Sequence, residues 1–169
     1  MENITTVILA AGKSSRFKHS KSKIFQDLGG ISIIQHVYNL ASKISGNNIV
    51  FVCNNNNFRE LSIKFPNVKF SIQKNQRGTA DAILSAKKYL QGKDILVLFG
   101  DVPLISISSI KKLINKFYQN NSNGSMISFK TNSPHGYGRV ILDGKFIESV
   151  VEELHASKNQ KKINLCNSG

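Results

Sequence analysis

Between Ala10 and Lys23 the chain reads AAGKSSRFKHSKSK, and five of these fourteen residues are cations: Lys13, Arg16, Lys18, Lys21 and Lys23. They follow a short apolar run, TTVILA, so a strand empties into a turn of small residues and then a row of positive charge. That order suits an anion. Ala10, Ala11 and Gly12 carry no bulk, so backbone N–H groups can approach phosphate oxygens closely. Arg16 can add a bidentate guanidinium fork. Spacing excludes two common phosphate loops: a P-loop needs glycine where Val7 stands, and the dinucleotide fingerprint needs glycines where Ser14 and Phe17 stand. A phosphomonoester carries about −2 and a nucleoside triphosphate about −4 by the same chemistry. The local cations and a divalent ion match that load within one pocket.

A second chemical group stands in LFGDVPLI, where Asp101 ends an apolar run. Carboxylate and water oxygens suit Mg²⁺, which commonly takes one or two protein carboxylates plus substrate phosphates. An Asp at a strand end also serves turns; its place opposite a cationic loop favours the metal reading. No Ser-His-Asp or Cys-His pattern suggests a protein nucleophile, and His135 and His155 fall in polar loops. Cys53 and Cys166 lack metal-ligand spacing, and Cys53, closing an apolar run, reads as a buried reduced thiol.

These groups need elements to hold them. Thr5–Ala11, Asn48–Cys53, Val68–Gln73 and Asp94–Asp101 read as buried strands. Ile33, Val37, Leu40, Ala41 and Ile44 recur at helical spacing before Gly46. Phe58, Leu61 and Phe65 mark a short helix ended by Pro66. A further helix is predicted over Thr79–Leu90 with Ala80, Ile83, Leu84 and Leu90 inward, and another over Ile107–Phe117, capped by Ser106. After NNSNGS the texture becomes β-rich: SMISFK, GRVIL and KFIESVVE read as strands, the last two joined through an Asp143-Gly144 hairpin. Strands alternating with helices imply an α/β, Rossmann-like, mostly parallel sheet covered by helices on both faces. Ligands in such sheets gather at the carboxyl ends of the strands. The cationic stretch, QKNQRGT and FGDVP all fall there.

Bulk properties narrow the class. A chain of 169 residues, 40% hydrophobic and 20% charged, has the composition of a single globular domain. No apolar run approaches the roughly 18 residues of a membrane helix, and MENITTVILAAG lacks the features of a signal peptide; a cytoplasmic protein with no membrane partner is expected. The formal net charge of +13 invites a nucleic-acid reading. Much of it reflects a general bias toward Lys, Asn, Ile and Ser, and stacking aromatics are scarce beside the cations, with Phe17 alone among them. No nucleic-acid partner is expected.

LAAGKSSRF, SKIF, SIQKNQRGTADAI, FGDVPLI, GYGRVI, VVEE and CNSG stand in the order of a known family. They resemble bacterial N-acetylglucosamine-1-phosphate uridyltransferase, of the MobA-like nucleotidyltransferase superfamily with the nucleotide-diphospho-sugar transferase fold. The resemblance runs from residue 4 to the last residue. It implies that Leu9, Ala10, Ala11 and Gly12 line a nucleotide whose phosphates meet Arg16 and Lys23. Gln73, Gly78 and Thr79 would meet the uracil, with Phe99 and Gly100 beside the nucleotide and Asp101 holding Mg²⁺. Gly138, Glu152 and Asn167 would contact N-acetylglucosamine, although the segment carrying Glu152 and Asn167 reads by itself as a polar loop. The implied reaction is uridylyl transfer from UTP to N-acetylglucosamine 1-phosphate, giving a cell-wall precursor and pyrophosphate.

The chain departs from the family pattern at several points. Ser14-Ser15 replace Gly-Thr, Ser22 replaces proline, Phe99 replaces tyrosine, and Asp81 stands where His is frequent; the last bears on base choice. Family members continue beyond NSG with a second metal-binding Asn and an acetyltransferase β-helix. Residues 1–169 are therefore expected to form one nucleotidyltransferase domain, shortened at its C-terminal end, that either works as it stands or awaits a partner chain to complete it. Two alternatives follow: a catalytically silent nucleotide-binding relative, or a sugar-1-phosphate nucleotidyltransferase that uses another nucleoside triphosphate.

Overall fold

The computed structural model describes residues 4–12, 22–75, 77–90 and 94–168. The chain divides into two compact units, Met1–Ile105 and Ser106–Gly169. In the first, β1 (Ile4–Leu9) leads through a 3₁₀ turn at Lys23–Phe25 to a small hairpin, β2 (Asp27–Leu28) and β3 (Ile31–Ser32). Then follow α1 (Ile33–Ser45), β4 (Ile49–Cys53), α2 (Asn55–Lys64), β5 (Lys69–Ile72), α3 (Thr79–Ser85), a 3₁₀ turn at Lys87–Tyr89 and β6 (Asp94–Phe99).

β5, β4, β1 and β6 lie side by side in that order, and every pairing is parallel. The two inner strands have no solvent face, which is why ITTVIL and IVFVC read as continuous apolar or β-branched runs. Alternation along the strands sends neighbours to opposite helical layers. Val7, Val50 and Val52 pack with Ala82, Ala86 and Leu90 of the α3 segment. On the other face the Ser45 hydroxyl of α1 donates to Thr6 Oγ1 at 2.8 Å. Phe51 there sits among Tyr38, Phe65 and Phe70, with centroids 5.0 to 6.4 Å from its own. The sheet is thus covered on both faces, as its sequence pattern requires.

In the second unit α4 (Ile107–Gln119) is capped by the Ser106 hydroxyl, which accepts from the Ser109 N–H. β7 (Ser128–Lys130), β8 (Arg139–Asp143), β9 (Phe146–Val151) and β10 (Leu165–Asn167) form an antiparallel sheet in the order β7-β10-β8-β9. The β8–β9 turn places Gly144 at φ +56°, a value Asp-Gly turns supply readily.

Three elements differ from the sequence expectation. The helix of Thr79–Leu90 stops at Ser85, and its buried residues are Ala82, Ala86 and Leu90, leaving Ala80 and Leu84 exposed. The small alanines let this segment sit close to Val7 and Val50, which fixes its rotation against the sheet. The tail read as a polar loop contains β10, an inner strand of its sheet that buries only Cys166. The β2–β3 hairpin was not anticipated; Gly29 and Gly30 form its turn at φ +66° and +91°, as a type I′ connection demands. Among the described residues, no helix is long and apolar enough to cross a membrane.

Candidate active site

A four-stranded order in which β1 neighbours both β4 and β6 reverses direction beside β1, and open sheets of this kind hold ligands at the carboxyl ends of such strands. Leu9 and Phe99 are register partners at that end, and the Gly100 N–H donates to the Leu9 carbonyl at 2.8 Å. A Cβ on Gly100 would lie 2.9 Å from that carbonyl oxygen and 2.9 Å from Ile34 Cδ1. Only hydrogen fits there, so the chain passes flush across the sheet end and delivers Asp101 at the rim.

Lys23, in the 3₁₀ turn that leads to the hairpin, reaches the same rim. Its Nζ lies 3.2 Å from Asp101 Oδ2, with the two side chains 41% and 45% exposed. Seventy-eight residues separate the pair, so their meeting is a product of the fold. Arg16 lies outside the described residues.

The turn after β1 is held from below. Ala10 and Ala11 are buried and Gly12 is exposed. Asn57 Nδ2 donates to the Ala10 carbonyl at 2.7 Å, and Asn54 Nδ2 to the Ala11 carbonyl at 3.0 Å. The same two asparagines form a reciprocal capping box at the start of α2. Sequence reasoning passed over them because the run Asn54–Asn57 looked like compositional bias. An Asn directly between a strand and an amphipathic segment was the available signal.

Gln73, the residue after β5, is 6% exposed. Its Nε2 donates to the Gly78 carbonyl at 3.2 Å and to Asp81 Oδ2 at 2.7 Å. Gly78, at φ +113°, turns the chain into α3, and Thr79 opens the helix on the exposed side. Ala82 of that helix belongs to the same apolar cluster as Ala11, with Leu9 packed against it. The segment around Gly78 therefore stands beside the turn after β1.

The second unit brings together the other three expected residues. The Asn167 N–H donates to the Gly138 carbonyl at 2.9 Å, and a Cβ on Gly138 would stand 3.3 Å from Glu152 Oε1. Beneath them lies a residue that sequence reasoning missed. Arg139 is 1% exposed and lies 2.6 Å from Glu153 Oε2, with further hydrogen bonds to the carbonyls of Tyr137 and Lys161. Its hydrogen bond holds the Glu153 carboxyl below the ordinary carboxylate range, and the Gly136 N–H adds to this. An arginine in GYGRVI, two residues after an aromatic, gave no sign that it would be buried.

Cys53 is buried without a disulfide partner, as anticipated, and burial pushes its thiol up to about 11. Among the described residues no group of three His, Cys, Asp or Glu side chains could hold a metal ion. Asp101 offers a single carboxylate, the donor set of an ion that takes its remaining oxygens from water and substrate phosphate.

The comparisons agree with this architecture. The family model for the MobA-like NTP transferase domain matches residues 6–163. The chain is 41% identical over 171 residues to the bifunctional protein GlmU of Buchnera aphidicola subsp. Schizaphis graminum, covering 99% of this chain and 36% of that protein. It is 35% identical over 175 residues to the bifunctional protein GlmU of Campylobacter fetus, covering 100% of this chain and 39% of that one. The chain thus spans little more than a third of the length of these relatives. Among solved structures, the mannose-1-phosphate geranyltransferase of Thermus thermophilus shares the fold with a TM-score of 0.74 at 16% identity, over 98% of this chain and 55% of that one. A parallel sheet whose switch point gathers a lysine and an aspartate, and a family model matched from one unit into the other, place the chain in the MobA-like NTP transferase domain family, the nucleotidyltransferases.

Proposed function

We propose that the chain transfers a uridylyl group from UTP to N-acetylglucosamine 1-phosphate, giving UDP-N-acetylglucosamine and pyrophosphate. The observation that carries the reading is the meeting of Lys23 and Asp101 at the end of β6, beside the buried turn after β1. The resemblance of the motifs to N-acetylglucosamine-1-phosphate uridyltransferases and the gathering of Gly138, Glu152 and Asn167 support the choice of sugar phosphate.

An oxygen of the sugar 1-phosphate attacks the α-phosphorus of UTP in line. The bond from that phosphorus to the bridging oxygen breaks, and pyrophosphate leaves with the electron pair. No protein nucleophile takes part, so the residues work by positioning and by neutralising charge. Lys23 supplies positive charge to phosphate oxygens. Gly12, Ala11 and Ala10 let the triphosphate approach the backbone. Gln73, Gly78 and Thr79 hold the base, and Glu152 and Asn167 hold the acetylated sugar through hydroxyl and amide hydrogen bonds. Asp101 would hold Mg²⁺, which when bound supplies charge neutralisation at the phosphates.

The test is pyrophosphate release by the full chain with UTP, Mg²⁺ and N-acetylglucosamine 1-phosphate. Release that requires the sugar phosphate, and that falls by about 100-fold or more in Asp101→Ala, is the expected outcome. The exposed ion pair contributes about 1 kcal/mol or less to stability, so the variant keeps its thermal midpoint. Undiminished turnover in Asp101→Ala overturns the assignment.

A further inference from the structure

The carboxamide of Gln73 has two N–H donors and one oxygen acceptor. Both donors are committed, one to the Asp81 carboxylate and one to the Gly78 carbonyl. A carbonyl and an ionised carboxylate can only accept, so the opposite orientation would set the amide oxygen against two other oxygens. Oε1 is therefore the polar atom this buried residue has left to offer. The first turn of α3, which carries Asp81, packs through Ala82 into the cluster that contains Ala11, so the oriented amide belongs to the rim described above. Nucleobases differ in what their Watson–Crick edge presents to such an oxygen. Uracil, thymine and guanine carry a ring N–H there, whereas cytosine and adenine carry a bare ring nitrogen that accepts.

We propose that Asp81 is a positioning residue that locks Gln73 with Oε1 as its presenting atom, so that the site selects nucleoside triphosphates whose base bears a ring N–H on its Watson–Crick edge. The proposal rests on the reading of Gln73 as a base contact. A site built to pair one hydrogen-bonding group rejects an analogue that leaves it facing a like group far more strongly than it rejects a change of size. UTP and CTP have the same ring size and differ at this edge, which makes them the cleanest pair of probes.

The dissociation constants of UTP and CTP are measured by titration calorimetry on the full chain with Mg²⁺, with inorganic pyrophosphate as a probe of the phosphate end alone. The wild-type chain is expected to bind UTP at least tenfold more tightly than CTP. Asp81→Asn, which can donate to Oε1 and so lets the amide turn, and Asp81→Ala, which removes the lock, are each expected to reduce that ratio to about threefold or less. Pyrophosphate affinity stays unchanged in both, which a general loss of structure would not allow. Gln73→Leu abolishes the preference. A ratio unmoved in both Asp81 variants but lost in Gln73→Leu overturns the positioning role and leaves the base contact standing. A ratio unmoved in Gln73→Leu, or a wild-type chain that binds neither nucleotide, overturns the base contact itself. Preference for CTP in the wild type overturns the orientation.

Discussion

Two charged pairs among the described residues serve opposite ends. Lys23 and Asp101 are both more than 40% exposed, so water screens them and their meeting says little about stability. Arg139 is sealed from solvent, and Glu153 supplies the carboxylate that faces its charge, while its Nε stays without a hydrogen-bond partner. That second pair has a pH signature. The Glu153 carboxyl is held below its ordinary value of 4.5, chiefly by the Arg139 hydrogen bond. A depressed carboxylate stabilises the fold fully above its unfolded value and loses that contribution as pH falls through the folded one. Urea denaturation of the wild type and of Glu153→Gln should therefore differ most between pH 6 and 7, with the gap closing below about pH 4. An equal gap at all pH values would mean that the carboxylate is not what Arg139 holds. The residue types of the rim were legible: Lys23 and Asp101 were singled out by sequence alone. Arg139 was not, because burial of a charge depends on carbonyls that only the folded chain brings near it.

At the level of elements, the turn after β1 owes its shape to the beginning of α2. Asn54 and Asn57 satisfy each other's backbone and then spend their remaining donors on Ala11 and Ala10. Asn57→Ala should leave the Ala10 carbonyl and the Asn54 N–H without these partners, a loss of about 1–3 kcal/mol measurable by chemical denaturation. UTP affinity should fall in the same variant, because the turn loses its support. Unchanged affinity would separate the cap from the turn. Hydrophobic runs found β1 and β4, which have strand neighbours on both sides, and the edge strand β6, whose run of five apolar residues was long enough to read. Periodicity misjudged the rotation of α3, since in TADAILSA alanines and larger apolar residues compete for the inner face, and close packing favoured the smaller ones. It missed β10 because a strand that buries one cysteine has no alternation long enough to register. The Gly29-Gly30 turn was a recognisable hairpin signal that went unused between such short strands.

Across the whole molecule, the doubly covered parallel sheet was readable because alternating strands and helices admit few right-handed arrangements. The division into two compact units was not, since no composition shift or linker marks Ile105. The charge balance has a consequence at this scale. A net charge of +13 raises repulsion within the folded chain, and a bound triphosphate removes part of it. UTP with Mg²⁺ at a hundred times its dissociation constant should raise unfolding free energy by about 2.7 kcal/mol, read as a higher thermal midpoint. A midpoint that answers equally to uridine without phosphates would show that charge is not what the ligand contributes.

Gly100 carries a consequence of its own. Where the backbone of one strand end lies between the carbonyl of the next and the Ile34 methyl with room for a single hydrogen, the packing under the rim admits no side chain at this position. Exposed side chains at the rim, Lys23 and Asp101 among them, can be exchanged without disturbing that packing. Position 100 has no such latitude: a Gly100→Ala chain must part the ends of β1 and β6, and its loss of stability would exceed that of any exchange at the exposed pair.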